Sequence, residues 1–327
     1  MDSGVDEHRV TRVHVVTSCT DRKKVDPDAS LRLRSVRHRE LDARLRDWMS
    51  RLDAAARAVP ARDLYAGEHW FEFLKLLEGG FRPDLNVSGW VVSAGYGLVS
   101  VDDQVSSYSA SFSRQAADSV SPADVAWTQK DWWAGLSGQS RSTVGQPRNL
   151  HELATSAPED LILIAASPTY LNAVDEDLQA AMGSHRNMLV FCSSHPRARQ
   201  IDTGSRYAAF DSRLRAVVGG SQIGLNIRTL AFALANATEL SPSSLRSTVA
   251  ALMSELPAPQ VHDRTVATDD EIRDFVRAAL MSDRALRPTS LLRRWRSMDR
   301  ACEQGRFRDL FVEVQGHLPD ELELELR

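Results

Sequence analysis

The stretch "VHVVTSCTDRKKVD", residues 13–26, opens with an apolar, β-branched run and passes through small polar residues and a cysteine to three consecutive cations. A continuous run of this kind, rather than an alternating one, is what a strand buried on both faces requires. Three further runs share the pattern, at 87–93, 161–166 and 188–191, and each also ends in small polar residues. Helical periodicity fills the intervals at 40–58, 69–77, 175–182 and 226–236, and Ser243 is placed to cap a further helix that runs to Glu255. Buried strands alternating with helices predict an α/β fold with a central, mostly parallel sheet flanked by helices. A weaker fifth strand is expected at 215–218.

With 327 residues, 43% of them apolar, the chain exceeds one minimal core, so a large unit and a smaller one are expected. The proline pair in "LPAPQ", residues 256–260, breaks the chain and places the boundary after residue 257. Between the second and third strands lies a Ser- and Gln-rich insertion at about 109–156 that holds Trp127, Trp132 and Trp133. Its tryptophans have two readings, a flap that stacks on a base or a helical excursion packed on the sheet, and the usual fate of large aromatics favours packing.

The net charge of −4 is mild, so nucleic-acid binding requires local basic patches rather than the average charge. Cys19, Cys192 and Cys302 are widely separated with no CxxC pair, which leaves no zinc-knuckle spacing and no disulfide framework, and a reducing cytoplasm is the simplest home. The amino-terminal "MDSGVDEHR" is acidic and polar, unlike a signal peptide, and no stretch is apolar enough to span a bilayer, so no membrane partner is expected.

In open parallel sheets the ligand crevice lies at the carboxyl ends of the strands. Here those ends carry Thr17, Ser18 and Cys19; Ser93, Tyr96 and Gly97; Ser167 and Tyr170; and Cys192, Ser193, Ser194 and His195. Each position alone is weak, because strand ends start loops; four together point to one crevice. A cysteine after a buried strand is more often a small core residue than a nucleophile, and cations such as Arg22, Lys23 and Lys24 are commonly solvated. A lone His195 before proline is more often a loop residue than a base.

The segment "SAGYGLVSVDDQVSSYSASF", residues 93–112, resembles the signature of the YaaA-like superfamily, with Ser93, Tyr96, Gly97, Asp103 and Tyr108 at its positions. "RDLYAGEHW" (62–70) is similar to the Tyr-x-Gly element that precedes the signature and supplies Tyr65. "LIAASPTYLNAV" (163–174) resembles the strand that ends in Ser-x-x-Tyr, and "GLNIRTLAFAL" (224–234), with Asn226, looks more loosely like the terminal helix. The resemblance covers roughly the first 240 residues. The superfamily includes DNA-binding stress proteins, the amidotransferase-like region of archaeosine synthase, and DpdC-type proteins of 7-deazaguanine DNA modification. Cys19 and Lys23 have the Cys-x-x-x-Lys spacing of the nitrile-converting branch, although Lys24-Val25 replaces its Pro-Tyr, which leaves water or an amine as the second substrate.

The resemblance thus implies conversion of a 7-cyano group to a carboxamide through a thioimidate on Cys19. Lys23 and Tyr96 would be candidate acids, and Asp103 would orient water or read a guanine-like ring. Ser18, Arg22, Tyr65, Ser93, Gly97, Tyr108, Ser167, Tyr170 and Asn226 would line the substrate site. No cofactor and no metal are implied. The substrate is DNA, with RNA the alternative, and a transglycosylase-type protein encoded nearby is the expected partner. A DNA-binding protein without base chemistry, and a glycosylase or nuclease using Asp103, remain alternatives.

After the boundary, 269–280 reads as a helix with an acidic first turn, 288–297 as a second, and 300–314 as a third, with a tight turn at Met298 and Asp299. Arginines outnumber the acidic residues in the last two, where Asp299, Glu303, Asp309 and Glu313 stand among them. A helix-turn-helix-like unit is expected, with Lys24, Arg293, Arg294, Arg296, Arg300 and Arg306 as DNA contacts. The competing reading is a helical cap with its own small core of Leu291, Leu292, Trp295, Phe307 and Phe311.

Overall fold

The structure is a computed structural model of the chain that describes residues 12–79, 85–139, 146–193, 206–258 and 265–317. Its contacts divide into two compact units, Met1–Pro257 and Ala258–Arg327.

The first unit is built on β1 (Val13–Ser18), β2 (Val59–Pro60), β3 (Val87–Ser93), β4 (Gly97–Ser100), β5 (Gln104–Val105), β6 (Leu161–Ala165), β7 (Met188–Phe191) and β8 (Tyr207–Ala208). Six of these form one mixed, mostly parallel sheet in the order β4-β3-β1-β6-β7-β8, and β2 pairs with β5 apart from it. Only β4 runs antiparallel, folding back on β3 from Gly97 opposite Ser93. The central β1 is buried along its whole length, as its continuous apolar run requires, and pairs in parallel with β3 on one side and β6 on the other. The chain passes from β1 to β3 on one side and later returns to β6 on the other side of β1. The carboxyl end of β1 is therefore a topological switch point, where such sheets open a crevice.

Two polar side chains inside β1 are satisfied. Thr17 donates to the Ala165 carbonyl at 3.0 Å and is in hydrogen-bond contact with His69, and His14 contacts Asp160 at 3.0 Å and accepts from the Trp90 indole at 3.0 Å. Helices Leu41–Asp53, Glu68–Leu77, Asp175–Ser184, Leu225–Asn236 and Pro242–Glu255 pack around the sheet. The first is shorter than its periodicity predicts. Ser241 rather than Ser243 caps the last, accepting from the Ser244 amide. Arg215–Val218 is a helical turn, not a strand, closed by Gly219 at φ 73°, and the last strand of the sheet is instead the two-residue β8.

The described residues of the insertion do not form an open flap. It forms helices Gln129–Gln139 and Leu150–Ser156, buries Trp132 and Trp133, and spends its indoles on the Ala94 carbonyl (2.9 Å) and Asp177 (3.1 Å). Trp127 donates to the Val120 carbonyl at 3.1 Å. These tryptophans pack and tie rather than present faces for stacking.

The second unit holds helices Asp269–Ser282, Pro288–Arg296 and Gln304–Gly316 around a core that includes Ile272, Val276, Leu291, Trp295, Phe307 and Phe311. Thr268 and Glu271 form a capping box on the first of them. Met298 and Asp299 lie in a turn, as expected, but the third helix does not follow it directly. Asp299 takes a left-handed φ of 55°, strand β10 (Arg300–Ala301) pairs in parallel with β9 (Thr265–Val266), and the third helix starts only at Gln304.

Candidate active site

Cys19 is the first residue beyond β1. Its amide donates to the Val92 carbonyl at 3.0 Å, which continues the ladder with β3 and fixes the residue at the switch point. The chain then doubles back: the Lys24 amide donates to the Leu64 carbonyl at 2.9 Å and the Ala66 amide to the Arg22 carbonyl at 3.0 Å. Gly67, at φ 103°, supplies the left-handed turn that this return needs and that a side chain would resist. Lys23 is thereby laid against Tyr65, with which it forms a β-bridge.

The sulfur lies among phenols. Cys19 Sγ is 3.1 Å from Tyr170 Oη. Tyr108 Oη is 2.7 Å from Ser93 Oγ and 3.0 Å from Tyr65 Oη. Lys23 Nζ sits 4.4 Å over the Tyr108 ring and 5.7 Å from the Tyr65 centroid, donating to the Thr20 carbonyl at 3.2 Å. Phe112 supports Tyr170 edge-on at 5.1 Å. Burial first, and negative charge at Cys19 second, push the hydroxyls of Tyr65, Tyr108 and Tyr170 above the ordinary phenol range. Burial also pulls the Lys23 ammonium below its ordinary value, partly offset by Cys19, Asp21 and Asp118.

A cavity of about 400 Å³ adjoins this cluster, with Lys23 and Tyr108 on its wall beside Asp21, Asp26, Arg32 and Asp118. Cys19 itself is 6% exposed and is not among the residues that line it. A volume of this order accommodates a nucleobase. Asp118 is one residue that the motifs do not flag. Its carboxylate accepts from the Arg34 amide (2.9 Å) and the Ser109 hydroxyl (2.7 Å), fastening the segment that carries Tyr108 and Phe112. His69 and Phe112 are likewise silent in the sequence, because each reads as an ordinary apolar-face residue.

Other expected site residues lie elsewhere. Asp103 accepts from the Ser100 amide at 2.7 Å within the turn after β4, and it lines a different cavity, of about 570 Å³, together with Tyr96. The Tyr96 ring meets Tyr108 edge-on at 5.2 Å, but its hydroxyl is spent on Ser106, accepting from the amide at 2.9 Å and donating to the carbonyl at 3.3 Å. Asn226 ties two strand ends, accepting from the Ser193 amide (3.1 Å) and donating to the Ala166 carbonyl (2.9 Å). Ser18 is buried at the end of β1, Arg22 and Lys24 are exposed, and Gly97 adopts φ 83° at the hairpin. Ser167 precedes helix Pro168–Ala173 and accepts from the Leu171 amide at 3.0 Å through its carbonyl. Ser194 and His195 lie outside the described residues.

In the second unit the acidic first turn of Asp269–Ser282 reaches the arginines that its sequence position seemed to leave unopposed. Arg300 pairs with Glu271 at 3.0 Å, Arg306 bonds Asp269 at 2.7 Å, and Arg296 donates to the Cys302 carbonyl at 2.9 Å. Arg293 and Arg294 are exposed and make no ion pair among the described residues, and Arg293 and Arg296 flank a surface cleft of about 530 Å³.

Among the described residues, no group of three or more His, Cys, Asp or Glu side chains is placed to hold a metal ion, and no helix is long and apolar enough to cross a membrane. Compared with known proteins, the chain matches no family model, no curated protein and no solved structure.

Proposed function

We propose that the first unit is a base-modifying enzyme in which Cys19 adds to the 7-cyano group of a 7-deazaguanine in DNA and releases the carboxamide. The observation that carries this reading is the convergence of a thiol, a phenol hydrogen-bonded to it and a half-buried lysine set over a second phenol at the switch point, beside a cavity of nucleobase size. A nitrile is a soft electrophile that suits a sulfur nucleophile and needs a proton at nitrogen as it is attacked. Sulfur and carbon form a bond, one π pair moves to nitrogen, and a neighbouring acid protonates it to give the thioimidate. Water then adds across C=N, oxygen to carbon and hydrogen to nitrogen. The hydroxyl proton returns to the acid as the C–S bond breaks, so the sum is nitrile plus water to amide.

A base in a duplex must leave the stack to reach such a cavity. Arg293 and Arg294 of the second unit are proposed as phosphate contacts that hold the DNA, which assigns that role to the helix Pro288–Arg296 instead of a recognition helix at Gln304–Gly316. Insertion of the nitrile-bearing base by a transglycosylase-type partner fits the same reading. The near-complete burial of Cys19 favours a second reading, a YaaA-like protein that grips DNA without changing it.

Incubation with DNA carrying 7-cyano-7-deazaguanine, followed by digestion and mass analysis of the nucleosides, separates the two. A gain of one water that disappears in Cys19→Ala supports the enzyme. An unchanged nucleoside with intact DNA binding supports the binding protein, and conversion that survives Cys19→Ala removes the nucleophile.

A further inference from the structure

The tyrosines around this site have different hydrogen-bond partners. Tyr108 Oη is engaged by Ser93 Oγ at 2.7 Å and Tyr65 Oη at 3.0 Å, and the Tyr96 hydroxyl by the backbone of Ser106. Lys23 donates to the Thr20 carbonyl and sets its charge over ring faces. Tyr170 differs from all of these: among the described residues its hydroxyl has Cys19 Sγ, at 3.1 Å, as its one hydrogen-bond partner. The pairing follows from neighbouring strands. Thr17 on β1 stands in register with Ala165 on β6, the Thr17 hydroxyl and the Asn226 side-chain amide tie down the Ala165 and Ala166 carbonyls, and the strands then lead out into Cys19 and into helix Pro168–Ala173. The Val174 amide donates to the Tyr170 carbonyl at 3.2 Å, and the fully buried Phe112 backs the Tyr170 ring edge-on at 5.1 Å. The ring is thereby held with its hydroxyl on the sulfur.

We propose that Tyr170 is the acid of this site: its phenol donates to the Cys19 thiolate and, during addition, gives that proton to the nitrogen that sulfur attack makes basic. The first half of that statement stands on geometry, and the second rests on the nitrile chemistry proposed above. A thiolate has no proton to give, so in the reacting form of the pair the phenol is the donor. The role goes beyond lining the substrate site, and it passes over Lys23 and Tyr96, whose hydrogen bonds among the described residues go to backbone groups and not to the sulfur. Burial, first, holds the Tyr170 phenol above its ordinary range, so it keeps its proton at neutral pH as an acid must. In the adduct the nitrogen lies two bonds from sulfur, so a donor 3.1 Å from Sγ is also within reach of it. As the S–C bond forms, one π pair moves to nitrogen and takes the Tyr170 proton, leaving a phenolate. Water then adds across C=N, the hydroxyl proton of that adduct restores the phenol, and the C–S pair returns to sulfur as the amide leaves.

The test reads the sulfur without any nitrile. Alkylation of Cys19 by iodoacetamide is followed by peptide mass across pH in the wild type, Tyr170→Phe, Tyr108→Phe and Tyr96→Phe, and the pH midpoints of the rate profiles are compared. The reacting form is the thiolate, so losing a donor to it raises the midpoint, whereas a change in access scales the whole profile. Tyr170→Phe is expected to raise the midpoint by about one pH unit or more, the scale of one hydrogen bond to a charged group, and Tyr96→Phe to leave it in place. An unmoved or lowered midpoint in Tyr170→Phe, or a larger rise in Tyr108→Phe, overturns the assignment. Urea melts identify a variant with a loosened fold, and 3-fluorotyrosine at position 170 then serves in its stead: it keeps the ring and makes the phenol a stronger donor, so the midpoint falls, and an unmoved midpoint overturns the assignment equally. On DNA carrying the nitrile, Tyr170→Phe is expected to slow conversion about 100-fold or more, and a wild-type rate overturns the catalytic half. Because alkylation involves no nitrile, a failed midpoint shift removes Tyr170 from the sulfur, whereas absent conversion by the wild type removes the substrate and leaves the pairing in place.

Discussion

His69 couples the sheet around Cys19 to pH. Thr17 Oγ1 donates to the Ala165 carbonyl and is in hydrogen-bond contact with His69 Nε2. Burial first, and the nearby Arg228 second, lower this imidazole from 6.5 to about 4. The unfolded chain therefore takes up a proton as pH falls through 6.5 while the folded chain resists until about 4. Stability from this group is complete above the upper value and is lost across that interval, by an amount on the order of 3 kcal/mol. His14, also lowered chiefly by burial, acts in the same direction in wild type and variant alike. Thermal melts of His69→Gln are expected to fall less steeply with acidification than those of the wild type, and parallel slopes would contradict the assignment. Neither this histidine nor Asp118 could be read from sequence, because the role of each depends on partners brought by folding. Cys19, Ser93 and Tyr170 were legible for the opposite reason, since their positions follow from where the strands stop, whereas Lys23 and Tyr108 were reached only through the family resemblance. Tyr96 and Asp103 stand in the same motif yet face a different cavity, since Gly97 turns the chain back as β4 and carries Asp103 into the next turn.

The long strands of the sheet were written as unbroken apolar runs, and such runs have few alternatives once both faces are buried. The two-residue β8 has no periodicity to read, and the Val-Val of Arg215–Val218 gave a false strand signal that the following Gly219 ended as a helical turn. The hairpin between β3 and β4 is where element geometry and site meet. A Cβ on Gly95 would stand 2.5 Å from the Tyr108 ring and 3.3 Å from Trp48, whose indole already donates to the Gly95 carbonyl at 2.8 Å. Gly95→Ala must therefore displace Tyr108. It is expected to cost about 1–3 kcal/mol of stability in urea denaturation, the usual scale of overpacking. A variant of wild-type stability would show that Tyr108 is not held by this close approach.

For the molecule as a whole, the two units carry separable predictions. Substituting Arg293 and Arg294 together with alanine is expected to weaken DNA binding and reduce the slope of log affinity against log salt by about two, roughly one per phosphate contact. Substituting Arg300 and Arg306 breaks ion pairs to Glu271 and Asp269, so it should lower the melting temperature of the second unit more than it changes that slope. An unchanged slope in the first pair would return the helix Pro288–Arg296 to a purely structural role. The central claim concerns the sulfur, and the most direct measurement is the mass of the Cys19 peptide after brief mixing with DNA that carries 7-cyano-7-deazaguanine, acid quenching and digestion of protein and DNA. A Cys19 peptide heavier by the whole nitrile-bearing nucleoside, with nothing lost, is the predicted thioimidate. An unmodified Cys19 peptide alongside complete conversion of the nucleoside, or an adduct on Cys192 or Cys302, would contradict it.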